Sequence, residues 1–445
     1  MPRMPDVNAG GDRLFRVALI IAVVVLVLFV LFVTYRFALR HTVSARLDEI
    51  RERGEPVTLE EAGPLLPEVD DAENAGRMYR DAIAALEADE ELETLIPALS
   101  GKASEPEIGE PWPDEMLAAM GRYVALNEQP LAAMREAGRY ERARYLGDIT
   151  PGFFMAMPHM AEMRRGARVL GTAGDWHAAQ GDYEAAVDHL VAIVALAESL
   201  REEPVAISQF VRWSIHLLVV DRMRRIVSRH KLPAEQLARL EDALAAVEPV
   251  DGLARALLVE RAMGVDIYGR SASAMRDWFG VNEWLIMAWR AGGLADLDQL
   301  RYLDMMERVI EMAGRPYTEV AADLEALEDE FDSLPGWYLG ARDSSLPGTP
   351  RTVARYDAML RMAGLAMAVE RYRVDHGALP GSLAELVPGY IDAVPVDAFD
   401  GAALRYAVRD EGGYVIYSVG QDGVDRGGVE GYGRDGEDLT YVIER

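Results

Sequence analysis

The residues best suited to chemistry lie at the end of the chain. Residues 419–445 carry seven acidic side chains, among them Asp422, Asp425 and Asp438, interleaved with seven glycines. Calcium takes six to eight oxygen ligands, carboxylates and backbone carbonyls together, from a turn supple enough to wrap it. Asp425 is a candidate ligand on charge and proximity. The spacing is not that of an EF-hand loop. The same composition also suits an acidic loop that is merely solvated.

Elsewhere the chemistry is sparse. There are seven histidines: His41, His159, His177, His189, His216, His230 and His376. His177 and His189 flank a turn at Gly181, with Asp175, Asp182 and Glu184 nearby, but the spacing matches no His-Glu-x-x-His zinc pattern. Ser208 and Ser214 fall on an expected helix rather than on a strained strand-to-helix elbow. No phosphate-binding or dinucleotide-binding glycine fingerprint occurs. With 74 acidic residues, no carboxylate pair stands out for acid–base work. No catalytic residue is assigned, and an enzyme is not expected.

The chain has 445 residues, no cysteine and a formal charge of −28. Lack of cysteine excludes disulfides, thiolate metal sites and a thiol nucleophile. The acidic excess argues against nucleic-acid binding, which needs a basic face to displace phosphate counterions.

These residues must be positioned by a larger frame, and its first element is apolar. Val17 to Tyr35 is a run of nineteen uncharged residues between Arg16 and Arg36. As a helix it spans roughly 28 Å, close to the bilayer hydrocarbon thickness. It exceeds the core of a cleaved signal peptide, so an uncleaved anchor is expected. Residues 1–46 hold six arginines against two aspartates, and residues 47–445 carry −32. This asymmetry favours a cytoplasmic tail (1–16), a transmembrane helix (17–35) and the bulk on the extracytoplasmic side, although the arginines flanking the span are nearly balanced.

Residues 36–334 read as helical. A stalk leaves the membrane and stops at Gly54-Glu55-Pro56. Thr58 and Glu61 form a capping-box pattern. Helices are expected over 71–88, 116–145, 205–229, 233–247, 253–268, 300–313 and 317–334. Residues 167–200 resemble one tetratricopeptide-type hairpin, or form an ordinary helical hairpin. Trp278, Phe279, Trp284, Met287 and Trp289 cluster in 277–293, as core, domain contact or exposed patch. Residues 335–350 are rich in Pro, Gly and Ser and read as a linker. The last segment, 351–445, changes character: a helix to Asp375, a helical turn at 382–387, then strands at 404–408, 414–419 and 439–443. Asp410-Glu411-Gly412-Gly413 is expected to join the first two strands. The expected fold is mainly α, ending in a small α+β unit of one helix on an antiparallel sheet.

That terminal unit resembles the globular head of the major pseudopilins of type II secretion. The likeness rests on Leu365 to Gly377 with Pro380, on Pro395-Val396-Asp397-Ala398-Phe399-Asp400-Gly401, on Tyr406, and on Tyr417-Ser418-Val419-Gly420-Gln421-Asp422-Gly423. Gly427-Gly428 and Glu437-Asp438-Leu439 continue it. The resemblance implies a structural calcium ion, with Asp422 and Asp438 as side-chain ligands and Val419 giving its carbonyl. The sequence departs from the family near its start: after a cut between Gly11 and Asp12 the fifth position would be Arg16, not glutamate. In addition, 316 residues separate the span from the terminal helix. Both features argue against leader processing and filament assembly. The whole chain also resembles uncharacterised bacterial membrane-anchored proteins. Its expected role is a structural or protein-interaction one in the cell envelope, with the membrane and envelope proteins as partners. An envelope enzyme with its site in the helical region, or an atypical pilus subunit, are the alternatives.

Overall fold

The computed structural model describes residues 8–340, 346–409, 412–431 and 437–445, with side chains from Phe15 onward. Among these are seventeen α-helices and one three-stranded antiparallel sheet, so the protein is mainly helical. Residues 341–345 of the expected linker lie outside the described residues, as do Asp410 and Glu411 of the expected turn.

The first helix, Asn8–Glu52, runs for 45 residues, about 67 Å. The apolar run and the stalk are therefore one element. It is long and apolar enough to cross a membrane, and its most apolar stretch has no residue buried against the rest of the chain. Contact with the body begins where the apolar run ends. Arg36 ion-pairs with Asp296, and Arg46 with Glu307, both on helix Leu294–Met312. The partners advance together along both chains, so the two helices run in parallel away from the apolar end. Ile50 then packs with Val57 and Leu303 in a small buried cluster.

Gly54 ends the stalk with φ +79, a conformation that suits glycine. The capping box at Thr58 forms, its side chain accepting from Glu61 N while Glu61 reaches back to Thr58 N. One expected helix is two. The segment expected over 116–145 divides into Asp114–Leu126 and Glu128–Ala137 at Asn127. Asn127 is fully buried, and its side chain bonds both backbone groups of Glu87. Pro130, in the first turn of the second helix, cannot bond the Leu126 carbonyl and so stops the first helix there; the Asn127 side chain then ties the break to Glu87.

The hairpin expected over 167–200 consists of His159–Ala179 and Tyr183–Glu198, turned at Gly181 (φ +77) and capped by Asp182. Against it lies Ala206–Arg229, whose Arg212 is wholly buried. Arg212 pairs with Glu198 at 2.9 Å and donates to the carbonyls of Glu248 and Asp251. A buried guanidinium persists when its donors are matched; here it ties three segments.

The terminal helix Thr349–His376 packs on Ala234–Ala245 and on Ala206–Arg229. The sheet order is β1 (Arg405–Val408), β2 (Tyr414–Ser418), β3 (Leu439–Ile443), with Tyr406 opposite Ile416 and Tyr414 opposite Ile443. Strands β2 and β3 are buried at every position. This explains their unbroken apolar runs, since a strand covered on both faces need not alternate. One face meets the terminal helix and the body: Tyr414 Oη donates to Ala366 O, and Tyr441 Oη to Val220 O, both at 3.2 Å. On the other face Val415, Tyr417 and Val442 form a smaller cluster.

Candidate functional site

Two sites merit description: the acidic loop beside β2 and β3, and an apolar cavity in the helical body.

The loop folds back on the sheet. Gly428 has φ +74, and a Cβ there would stand 2.8 Å from Tyr417 Cδ1, so only glycine fits this approach. Two buried carboxylates organise the loop. Asp438 is fully buried and accepts from the backbone N–H of Gly428 at 2.8 Å and of Arg426 at 3.2 Å. Asp397, also buried, accepts from Val419 N at 3.0 Å, Ser418 Oγ at 2.7 Å and Phe399 N at 3.0 Å, and pairs with Arg405 at 2.8 Å.

The expected ligands thus fall into two groups. Asp422 and Asp438 meet around Arg426: Asp422 pairs with its guanidinium at 2.8 Å, and Asp438 takes its backbone N–H. Asp425 accepts from Gly427 N at 2.9 Å and lies 3.6 Å from Arg405. The Val419 N–H is committed to Asp397. Burial lowers the Arg405 pKa, but Asp400, then Asp397 and Asp425, outweigh it and hold the guanidinium above its ordinary value. Burial first, then Asp425, raises the Tyr417 hydroxyl.

Asp422 and Asp438 fit the acidic half of a cation site. The Arg426 guanidinium pairs with Asp422, and Asp438 holds the Arg426 backbone N–H. The sequence reading missed Arg405, Arg426 and the ordering role of Asp397. Their signal was present as arginines four and eight residues after aspartates, at Asp422 and Asp397.

The histidines are otherwise engaged. His177 Nδ1 lies 3.2 Å from Asp182, and its ring stacks on His189. His189 Nε2 lies 3.2 Å from Arg135. Burial, then Arg135, presses its pKa down to about 3. Among the described residues no three His, Asp or Glu side chains gather as metal ligands.

The cavity has a volume of about 360 Å³ and is lined by Phe153, Phe210, Met263, Trp278, Tyr302 and Glu260, among others. That volume is at the small end of ligand pockets. Glu260 was not anticipated. It lies on the stripe Leu253, Ala256, Glu260, Met263, Ile267 of helix Leu253–Gly269, a charge on the core-facing side. Burial pushes its pKa up to about 7, against the hydrogen bond from Ala206 N that favours the charged form. The cavity offers apolar walls and one half-buried carboxyl, that of Glu260, which burial shifts to about 7.

The architecture defines a mainly α-helical protein with a small antiparallel sheet and one N-terminal helix able to span a membrane. Comparisons with models of protein families, with curated proteins and with solved structures find no match for this chain.

Proposed function

We propose that this chain is a membrane-anchored interaction protein of the cell envelope, with a short cytoplasmic tail and its body on the extracytoplasmic side. The observation that carries the reading is the anchor helix, which passes unbroken from an exposed apolar run into charged contacts with the body at Arg36 and Arg46. A span fused rigidly to a body holds that body at a fixed height above a bilayer. Such a geometry serves docking of proteins at a membrane surface.

The likeness of residues 351–445 to a pseudopilin head belongs to the same proposal. A helix over three antiparallel strands, with an acidic glycine-rich loop, is the arrangement that likeness implies. Calcium would be held by Asp422 and Asp438 with the Val419 carbonyl, in competition with the pairing of Asp422 to Arg426, and Asp425 would join only on leaving Arg405. Its part would be to rigidify the loop, with no catalytic role.

A second reading, a site for an apolar ligand or reaction in the helical body, is favoured by Glu260 in its cavity.

Alkaline carbonate extraction of membranes from expressing cells tests the main reading. The full chain is expected in the pellet, and a variant lacking residues 8–35 in the supernatant. Extraction of the full chain into the supernatant would overturn it.

A further inference from the structure

Helix Glu283–Gly292 has the sequence EWLIMAWRAG. One side faces inward: Ile286 is fully buried, and Trp289 is buried with its Nε1 donating to Trp337 O at 2.8 Å. Arg290 also turns inward and donates to Tyr268 O at 2.8 Å. Glu283 borders the outer face with its side chain 44% exposed, 3.5 Å from Arg276. The rest of the outer face is uncharged. Trp284 is 60% exposed, Met287 54% and Leu285 43%, with Ala288 and Ala291 also exposed. A contiguous apolar helix face of this kind marks an interaction surface.

Its position says what covers it. The helix ends at Gly293 (φ +88), and a Cβ there would stand 2.5 Å from Arg36 Nη1 and 3.3 Å from Leu39 Cδ1. Arg36 is the first charge after the apolar run, so the end of this helix lies level with the exit of the anchor from hydrocarbon. Helix Leu294–Met312 then climbs away beside the anchor, from Asp296 at Arg36 to Glu307 at Arg46. Ten residues of helix reach only about 15 Å. The exposed face is therefore held close to the polar layer of the bilayer, where tryptophan is favoured. Tyr35 and Phe37 on the anchor are exposed at the same level.

We infer that the outer face of helix Glu283–Gly292, with Trp284, Leu285 and Met287, is a second membrane contact that lies in the lipid interface beside the anchor. This rests on the anchor spanning the bilayer. Two contacts would fix the body's tilt as well as its height, which a single helix leaves free.

The chain has no cysteine, so single nitroxide labels report without background. The test uses the full chain in vesicles of phosphatidylethanolamine and phosphatidylglycerol, labelled at Met287→Cys, Leu26→Cys or Val408→Cys. Val408 is an exposed position on β1. Collisions with oxygen and with a water-soluble nickel chelate measure depth. The Met287→Cys label is expected to show several-fold lower nickel accessibility than Val408→Cys, with oxygen accessibility retained, and to lie shallower than Leu26→Cys. With Leu26→Cys deep, nickel accessibility at Met287→Cys equal to that at Val408→Cys overturns the inference alone. Exclusion of both reagents at Met287→Cys also overturns it, since that marks a protein contact. A water-exposed Leu26→Cys removes the spanning anchor itself.

Discussion

Arg36, the first charged residue beyond the apolar run, is ion-paired with Asp296 at the start of helix Leu294–Met312, and both side chains are largely covered. The pair joins the apolar part of the first helix to the body where the apolar run ends. Ten residues on, Arg46 repeats the arrangement with Glu307. The stalk is thus clamped along its length.

Loss of both acidic partners should loosen that clamp. Asp296→Ala with Glu307→Ala is expected to cost about 1–3 kcal/mol in local stability, because each part-buried arginine loses a charged hydrogen bond. Trypsin should then cleave after Arg40 or Arg46 several-fold faster than in the unaltered chain, with the body still resistant. Unchanged cleavage would mean that other stalk contacts suffice.

The terminal sheet should unfold with the helical body. Tyr441 on β3 is fully buried and bonds Val220 O in helix Ala206–Arg229. The main hydrophobic core includes residues of both regions, from Ile193 and Val220 to Ile416 and Ile443. Calorimetry of the full chain in detergent is expected to give one cooperative transition. Tyr441→Ala should destabilise by about 3–5 kcal/mol, as for other buried aromatics, and move that whole transition. Two transitions, with only one sensitive to Tyr441→Ala, would contradict this.

Glu260 makes a pH prediction with a definite sign. Its carboxyl is raised to about 7 in the folded chain by burial, so the folded state binds more protons than the unfolded one above its ordinary value near 4.5. The contribution of Glu260 to stability must then fall as pH rises from about 4.5 to 7. Glu260→Gln keeps an acceptor for Ala206 N and removes the titration. Its stability relative to the unaltered chain should grow across that window, reaching about 1–3 kcal/mol at pH 8. His189 and His216, both depressed to about 3 chiefly by burial, act oppositely below about 6.5 in both proteins, so the difference isolates Glu260. A pH-independent difference would mean that the group is already solvated.

Calcium should raise the melting midpoint of the full chain in detergent over that in chelator, since a ligand of the folded state alone must stabilise it. Asp438→Asn should abolish the rise. Arg426→Ala should enlarge it by removing the competing cation. No shift at millimolar calcium in any of these proteins would leave the arginines as the loop's own counter-ions.

Much of the frame was legible in the sequence because it follows local rules. The anchor rests on nineteen uncharged residues, the Gly181 turn on a glycine with positive φ, and the strands on compact apolar runs bounded by glycine and aspartate. What escaped depends on distant partners. The tie between Asn127 and Glu87, forty residues earlier, could not be read locally, although the helix break beside it follows from Pro130. The tryptophan cluster divides between core and surface: Trp289 faces inward and Trp284 outward, five residues apart on one helix. The acidic loop was visible as acidic, but pairing of Asp397 with Arg405 and of Asp422 with Arg426 is set by folding of the loop onto the sheet. Glu260 was legible in principle, as a charge on an apolar stripe.

The central claim is that the body lies outside the cytoplasm on a membrane anchor. Intact bacterial spheroplasts expressing the chain with an epitope after Arg445 test it most directly. Added protease is expected to remove the epitope while a cytoplasmic marker survives. An epitope that stays protected until the membrane is lysed would place the body in the cytoplasm and contradict the proposed role.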